Sequence, residues 1–304
     1  MSRASKRITR IDPAFVIVDK SAGMTSHDVV ARIRRIYNER RVGHSGTLDP
    51  DATGVLVVGI GAANRLFSRF EDCKQYEATI RFGATTTTLD ASGDVLEQFD
   101  MNVDADDLLS VLPRFIGDVE QIPPMVSAVH VDGKRLHQLA REGKEVERQP
   151  RPVRIDSIVV TAVRSGPNSE ADLVVDCGGG TYIRSLAADI GTALGGGAHL
   201  STLRRTRVGP FTGGHAHTLA EIEADPAAAS IPIAAAFGWP ATNLSTDDTL
   251  TKQVRNGVRI PASSVPDWVP GLPNVVSIEG RVAAVYENID DEWRPVVGVP
   301  QLQD

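Results

Sequence analysis

The run Val55-Leu56-Val57-Val58-Gly59-Ile60 constrains this chain more than any other segment. It is too short and too β-branched for a free-standing helix, so it reads as a buried strand. Directly before it stands Gly43-His44-Ser45-Gly46-Thr47-Leu48-Asp49-Pro50-Asp51-Ala52-Thr53-Gly54, a glycine-rich loop crowded with polar and ionisable groups. A hydrophobic strand must anchor such a loop. Pro50 pushes Asp49 out of the helical region toward an extended backbone and removes one amide donor beside it. A carboxylate held in that way on a rigid lead-in is well placed to act as nucleophile or base. Spacing alone leaves open, and favours, a plain Asp-Pro turn in which Asp49 caps nearby amides.

The surrounding pattern mixes both periods. Val29, Val30, Ile33, Ile36 and Tyr37 recur at helical spacing, with Thr25 or Ser26 and Asp28 as a start signal, which leaves Arg32, Arg34 and Arg35 mostly off the buried stripe. Ala78 to Phe82 alternates as a half-buried strand, and Val153 to Val163 and Ala171 to Cys177 read as a strand pair. Asp104 to Phe115, Leu136 to Arg141 and Ile183 to Leu194 read as helices. Helices and strands interleave without a strict β-α-β rhythm, which predicts a mixed α/β or α+β sheet protein. After an Ala- and Pro-rich stretch at 220–240, short β-like runs predict a small β-rich C-terminal domain over 240–304.

At 304 residues the chain has room for one large domain and a small one. Its longest uncharged apolar stretch, Gly54 to Ala63, is ten residues, about half of what a membrane-spanning helix needs. Residues 1–10 are basic and polar with no apolar run behind them, the pattern of a flexible tail rather than a secretory signal. Cys73 and Cys177 fit no metal or redox spacing and read as buried thiols of a cytoplasmic protein. The net charge of −7 is unevenly spread: from residue 220 onward there are 5 basic and 12 acidic side chains, so the rest is neutral as a whole. Within it, residues 1–48 hold 10 basic and 4 acidic groups, and Asp90 to Asp107 holds seven acids and no base. Basic residues cluster again at 134–154, and Arg204, Arg205 and Arg207 stand together without an acid nearby in sequence. Such segregation permits a basic, nucleic-acid-binding face on an acidic protein.

Other glycine-rich or ligand-like motifs fail on specifics. No lysine follows Gly46 or Gly54 as a phosphate loop requires. Gly178-Gly179-Gly180 lacks the dinucleotide fingerprint, and His215-x-His217 has no cysteine or carboxylate close by, so no metal site is expected. Arg184, at the start of a helix, faces the positive end of the helix dipole, which is mildly unfavourable unless a carboxylate answers it. Asp49 is one such answer; a surface pairing with Asp189 or Asp176 is the other.

The loop Gly43 to Pro50, followed by Ala52-Thr53-Gly54-Val55-Leu56, resembles the catalytic motif of the TruB-family tRNA pseudouridine synthases. The likeness continues in Asp19 to Ser26, Lys74-Gln75-Tyr76, Thr86 to Gly93, Gln121 to Ala128, Gly180 to Leu186 and Gly197 to Arg205, seven blocks in order over residues 19–211. The resemblance implies a pseudouridine-synthase-like α+β fold, a mixed, largely antiparallel sheet flanked by helices. It implies a catalytic domain over 11–235, with a mobile RNA-contacting insertion at about 122–152, and a PUA-like RNA-binding domain at the C-terminus. By resemblance Asp49 is the essential aspartate and Arg184 its ionic partner, Tyr76 stacks on the target base, and His44 helps extrude the nucleotide. Tyr182 and Leu203 line the uracil pocket. Ser21 stands where the family usually has proline, and His130 and His137 replace a frequent lysine and tyrosine.

The activity implied is cofactor-free, metal-free isomerisation of the T-loop uridine of tRNA (position 55) by a monomeric cytoplasmic enzyme that binds the T-arm and no membrane. Two rival readings remain: a tRNA-binding or folding chaperone in which catalysis is dispensable, and a glycosidase using Asp49 and Asp51 as paired carboxylates. The second needs its carboxylates about 5–9.5 Å apart across the substrate, which neighbours around a proline need not achieve.

Overall fold

Ala14–Lys20 (β1) is buried along almost its whole length, the pattern of a strand covered on both faces. The structure, a computed structural model, describes residues 12–125, 130–131, 134–135, 146–245, 249–265, 268–269 and 271–299, with 130–131 and 134–135 as backbone only. The expected helix at 136–141 and the side chains of His130 and His137 therefore lie outside the described residues, as does much of the 122–152 insertion. After β1 come Ser26–Tyr37 (α1), Val42–His44 (β2), Thr53–Ile60 (β3) and a 3-10 segment, Gly61–Arg69. Next are Cys73–Phe82 (β4), Ala84–Thr86 (β5), Val95–Gln98 (β6), Ala105–Val111 (α2) and Gly117–Gln121 (β7). The short hairpin His130–Val131 (β8) and Lys134–Arg135 (β9) precedes Arg151–Arg164 (β10), Glu170–Gly178 (β11), Ile183–Ala193 (α3) and Ala198–Val208 (β12). Phe211–Thr212 (β13), Leu219–Ala224 (α4), Ser230–Pro232 (β14) and Ile233–Phe237 (α5) lead to the C-terminal strands. These are Ala241–Leu244 (β15), Ile260–Pro261 (β16), Asn274–Ile278 (β17), Arg281–Ile289 (β18) and Glu292–Gly298 (β19), with Thr249–Arg255 (α6) after β15.

The described residues fall into two compact units, one drawn from Met1–Pro50, Leu56–Glu71 and Gly214–Asp304, the other from Asp51–Val55 and Asp72–Gly213. In the first, β1 lies between β14 and β3, and β2 pairs antiparallel with β3. Helix α1 starts where the sequence signals it: Thr25 caps it in a reciprocal box with Asp28 and buries Val29, Val30, Ile33 and Tyr37. The C-terminal strands form a separate sheet, β15-β17-β18-β19-β16, over a core that includes Trp268, Tyr286 and Trp293. The β-rich C-terminal part is thus present.

The second unit holds the larger, mostly antiparallel sheet, in the order β12-β4-β11-β10-β7, with the first residues of β3 parallel to β12. β4 alternates buried and open positions, as a strand with one covered face must, and α3 packs on β12 and β4. The segment expected as one helix from Asp104 to Phe115 divides: α2 ends at Val111 and a 3-10 turn follows over Leu112–Phe115. Pro113 explains the change, because it has no amide with which to continue an α-helical ladder.

Candidate active site

In the first unit, the loop after β2 is held by the turn between β1 and α1. Ser26 Oγ accepts from the Leu48 amide at 2.8 Å and donates to the Leu48 carbonyl at 3.0 Å. On the other side of Asp49, the Pro50 carbonyl accepts from Lys20 Nζ at 2.9 Å and from the Gly23 amide at 3.0 Å. Ser26, Lys20 and Leu48 are all buried. Buried polar groups are costly unless bonded, so these contacts leave the backbone on both flanks of Asp49 little freedom. His44, half-buried at the end of β2, lies edge-on to His27 with ring centroids 6.4 Å apart.

The exit of the loop is locked within the second unit. Thr53 and Gly54 pair with Arg204 and Arg205 of β12. Gly54 has φ +100°, and a Cβ there would stand 2.1 Å from the Arg205 carbonyl oxygen, so only glycine fits. Arg205, 1% exposed, donates from Nε to the Val55 carbonyl at 2.7 Å. On β4, Tyr76 is buried and stands opposite Arg205, while Ala78 stands opposite Leu203. Direct partners share a face, and so do residues two apart. Tyr76 and Leu203 therefore lie on one face of the sheet.

Arg184 is buried in the first turn of α3, its side chain 5% exposed. Nη1 donates to the Thr88 carbonyl at 3.1 Å and lies 3.6 Å from Asp90 Oδ2. This corrects the alternative of a surface pairing: Asp176 is bonded to Arg207 instead, and Arg184 is not on the surface. Asp90 was not among the residues singled out in the sequence. Its signal was its place in the Thr86–Gly93 block, where a self-bonded loop fixes it. Thr88 Oγ1 and Ser92 Oγ each donate to Asp90 Oδ1 at 2.6 Å, and Thr86 Oγ1 donates to its carbonyl at 2.7 Å. A cation at the positive end of a helix is unfavourable by itself; the carboxylate answers it. Tyr182 is half-buried at the N-cap of the same helix.

Two family models match. The TruB family pseudouridylate synthase N-terminal domain matches residues 34–183, and the tRNA pseudouridylate synthase B C-terminal domain matches residues 184–230. Among curated relatives, tRNA pseudouridine synthase B of Mycobacteroides abscessus is 46% identical over 289 residues, covering 93% of this chain and 95% of that protein. The Thermobifida fusca protein of the same name is 45% identical, covering 93% of this chain and 97% of its own. The chain belongs to the TruB family of pseudouridine synthases. Among solved structures, a Cbf5-Nop10-Gar1 complex contains a chain 26% identical, with a TM-score of 0.61, aligned over 95% of this chain and 84% of that one.

Within this TruB-family chain, the two family models divide between Ile183 and Arg184, so the candidate arginine opens the second. Arg204, Arg205 and Arg207, neighbours in the sequence, do not share one surface. Arg205 is buried, Arg204 lies on the opposite face, and Arg207 bonds Asp176 at 2.6 Å. Burial by itself would raise the Asp176 carboxyl, but hydrogen bonds from Arg207, Gln75 and Ser157 carry it below its ordinary value. Cys177 is buried and its thiol is pushed up to about 11 by burial, whereas Cys73 is half-exposed rather than buried as expected. Among the described residues, no group of three or more His, Cys, Asp or Glu is placed to hold a metal ion, and no helix is long and apolar enough to cross a membrane.

Proposed function

We propose that this chain isomerises the T-loop uridine of tRNA, position 55, to pseudouridine, with Asp49 as the catalytic residue. The support is the double pinning of the backbone on either side of Asp49, in a chain whose curated relatives are named tRNA pseudouridine synthases. The reaction breaks the N1–C1′ bond, turns the uracil, rejoins it through C5 and releases the C5 proton. Every atom but that proton stays, and its place is taken at N1, so no electrons enter or leave. Asp49 acts ionised, either at C6 of the base or at C1′, and Arg184, which also pairs with Asp90, serves as its ionic partner.

Tyr76 stacks on the base, His44 assists its extrusion, and Tyr182 and Leu203 close the uracil pocket. Flipping a stacked nucleotide costs about a few kcal/mol, which contacts from basic side chains to the phosphates offset. An RNA arm is read largely by shape, so a base-reading helix is not required. Residues 11–235 make up the catalytic domain and 240–304 a PUA-like RNA-binding domain of a monomeric cytoplasmic enzyme. The test is to treat an unmodified tRNA transcript with the protein and map pseudouridine by carbodiimide-dependent stops of reverse transcription. A new stop at the T-loop uridine is expected; no stop, or stops only elsewhere, overturns the assignment.

A further inference from the structure

Helix α3 begins without a cap of its own. Tyr182 occupies the N-cap position with no side-chain hydrogen bond into the first turn. Ser185 sits where a glutamate or glutamine would reach back to complete a capping box, and its hydroxyl goes elsewhere. The bond that would reach back to the N-cap amide comes from the end of β7 instead. The Gln121 carboxamide accepts from the Tyr182 amide at 3.0 Å and donates to the Tyr182 carbonyl at 3.3 Å. Ser185 Oγ donates to the Ile122 carbonyl at 2.8 Å. Gln121 and Ser185 are each 3% exposed, so water does not substitute for these partners.

Three bonds thus bracket Arg184, two on the residue two places before it and one on the residue after. The end of β7, Gln121 included, also borders an open cavity of about 620 Å³, whose edge takes in Phe115, Ile122 and Pro150 and, from α3, Asp189. Packing is therefore incomplete where β7 meets α3, and directional bonds carry the registration. A helix start capped from another strand is only as well placed as that strand.

We propose that Gln121, seconded by Ser185, is a positioning residue for the reaction: it sets the angle at which the first turn of α3 presents Tyr182 and Arg184. This rests on the reading of those two residues as part of the active site. The guanidinium of Arg184 has a fixed fork geometry, so a small rotation of the turn misdirects it while leaving the fold intact.

The test uses the full chain and tRNA transcript tritiated at uridine C5, under single-turnover conditions, with tRNA binding by filter retention and thermal unfolding alongside. Gln121→Met keeps the length of the side chain and removes both bonds. Gln121→Glu keeps the acceptor for the Tyr182 amide but turns an oxygen toward the carbonyl. Ser185→Ala removes the third bond. The expected result for Gln121→Met is a turnover rate lower by about 10- to 100-fold with tRNA affinity nearly unchanged. Gln121→Glu and Ser185→Ala should fall in the same direction by less. In an Arg184→Lys background the further loss from Gln121→Met should shrink, since both changes act on one guanidinium; a merely structural glutamine would give independent losses.

If Gln121→Met does not fold, the other two variants decide. Folded variants that turn over at the parental rate, or losses that combine independently with Arg184→Lys, overturn the positioning role. Parental turnover by Arg184→Lys itself would instead remove the site assignment, and the positioning role with it.

Discussion

Asp49 is fixed through its neighbours, and each neighbour can be tested singly. Ser26 serves both the amide and the carbonyl of Leu48, and alanine, having no hydroxyl, serves neither. Ser26→Ala should therefore destabilise the protein by about 1–3 kcal/mol, the cost of leaving buried backbone groups unbonded. Urea unfolding measures this; a change below about 0.5 kcal/mol, the range of an ordinary surface substitution, would show that the clamp does not hold the loop. Proline and the strand that follows left Asp49 open as nucleophile, base or turn cap, with the turn favoured, and the resemblance to the TruB family chose it as the essential aspartate. The sequence pattern could not single out Ser26 or Asp90. Ser26 reads locally as a helix start, and its partner lies 22 positions away. Asp90 reads as one of a run of acids, and its partner Arg184 is reached only once the sheet is folded.

Strand and helix elements were more legible, because their periods are local properties. The buried β3, the alternating β4, the β10–β11 pair and α3 all lie where apolar spacing predicts them. Arg204, Arg205 and Arg207 show where such reading stops. Adjacent residues on a strand point to opposite faces, so Arg205 turns to the buried face, while a register shift after it returns Arg207 to the face of Arg204 and Gln75. On β11 this places Asp172 and Asp176 on one face, where Arg164 and Arg207 bond them.

Both carboxyls are held below their ordinary value: Asp172 chiefly by its bond from Arg164, and Asp176 by bonds that outweigh burial. Between the folded and unfolded values the unfolded chain binds more protons, so stability rises with pH there. The contribution is complete above the ordinary carboxylate value of about 4 and is lost as pH falls through the folded values. Asp176→Asn should accordingly flatten the fall of the melting temperature below about pH 4 relative to the parent. Parallel curves for the two proteins would contradict it.

The fold as a whole was legible as α+β with a β-rich C-terminal part because alternating and helical stretches are interleaved, the composition shifts at 220–240 and short β-like runs follow. Sheet order was not, since β12 inserts beside β4 from more than a hundred positions away and no local pattern encodes that choice. Charge follows the same division. The excess acid lies beyond residue 220, while residues 1–48 are basic, a segregation that permits a cationic face on an acidic protein. The proposed reaction centres on one ionised carboxylate, Asp49. Tritium release from C5-labelled tRNA, measured for the parent and for Asp49→Asn with binding checked in parallel, weighs that role. The parent should release tritium and Asp49→Asn should bind tRNA yet release none; release by Asp49→Asn at the parental rate would contradict the account.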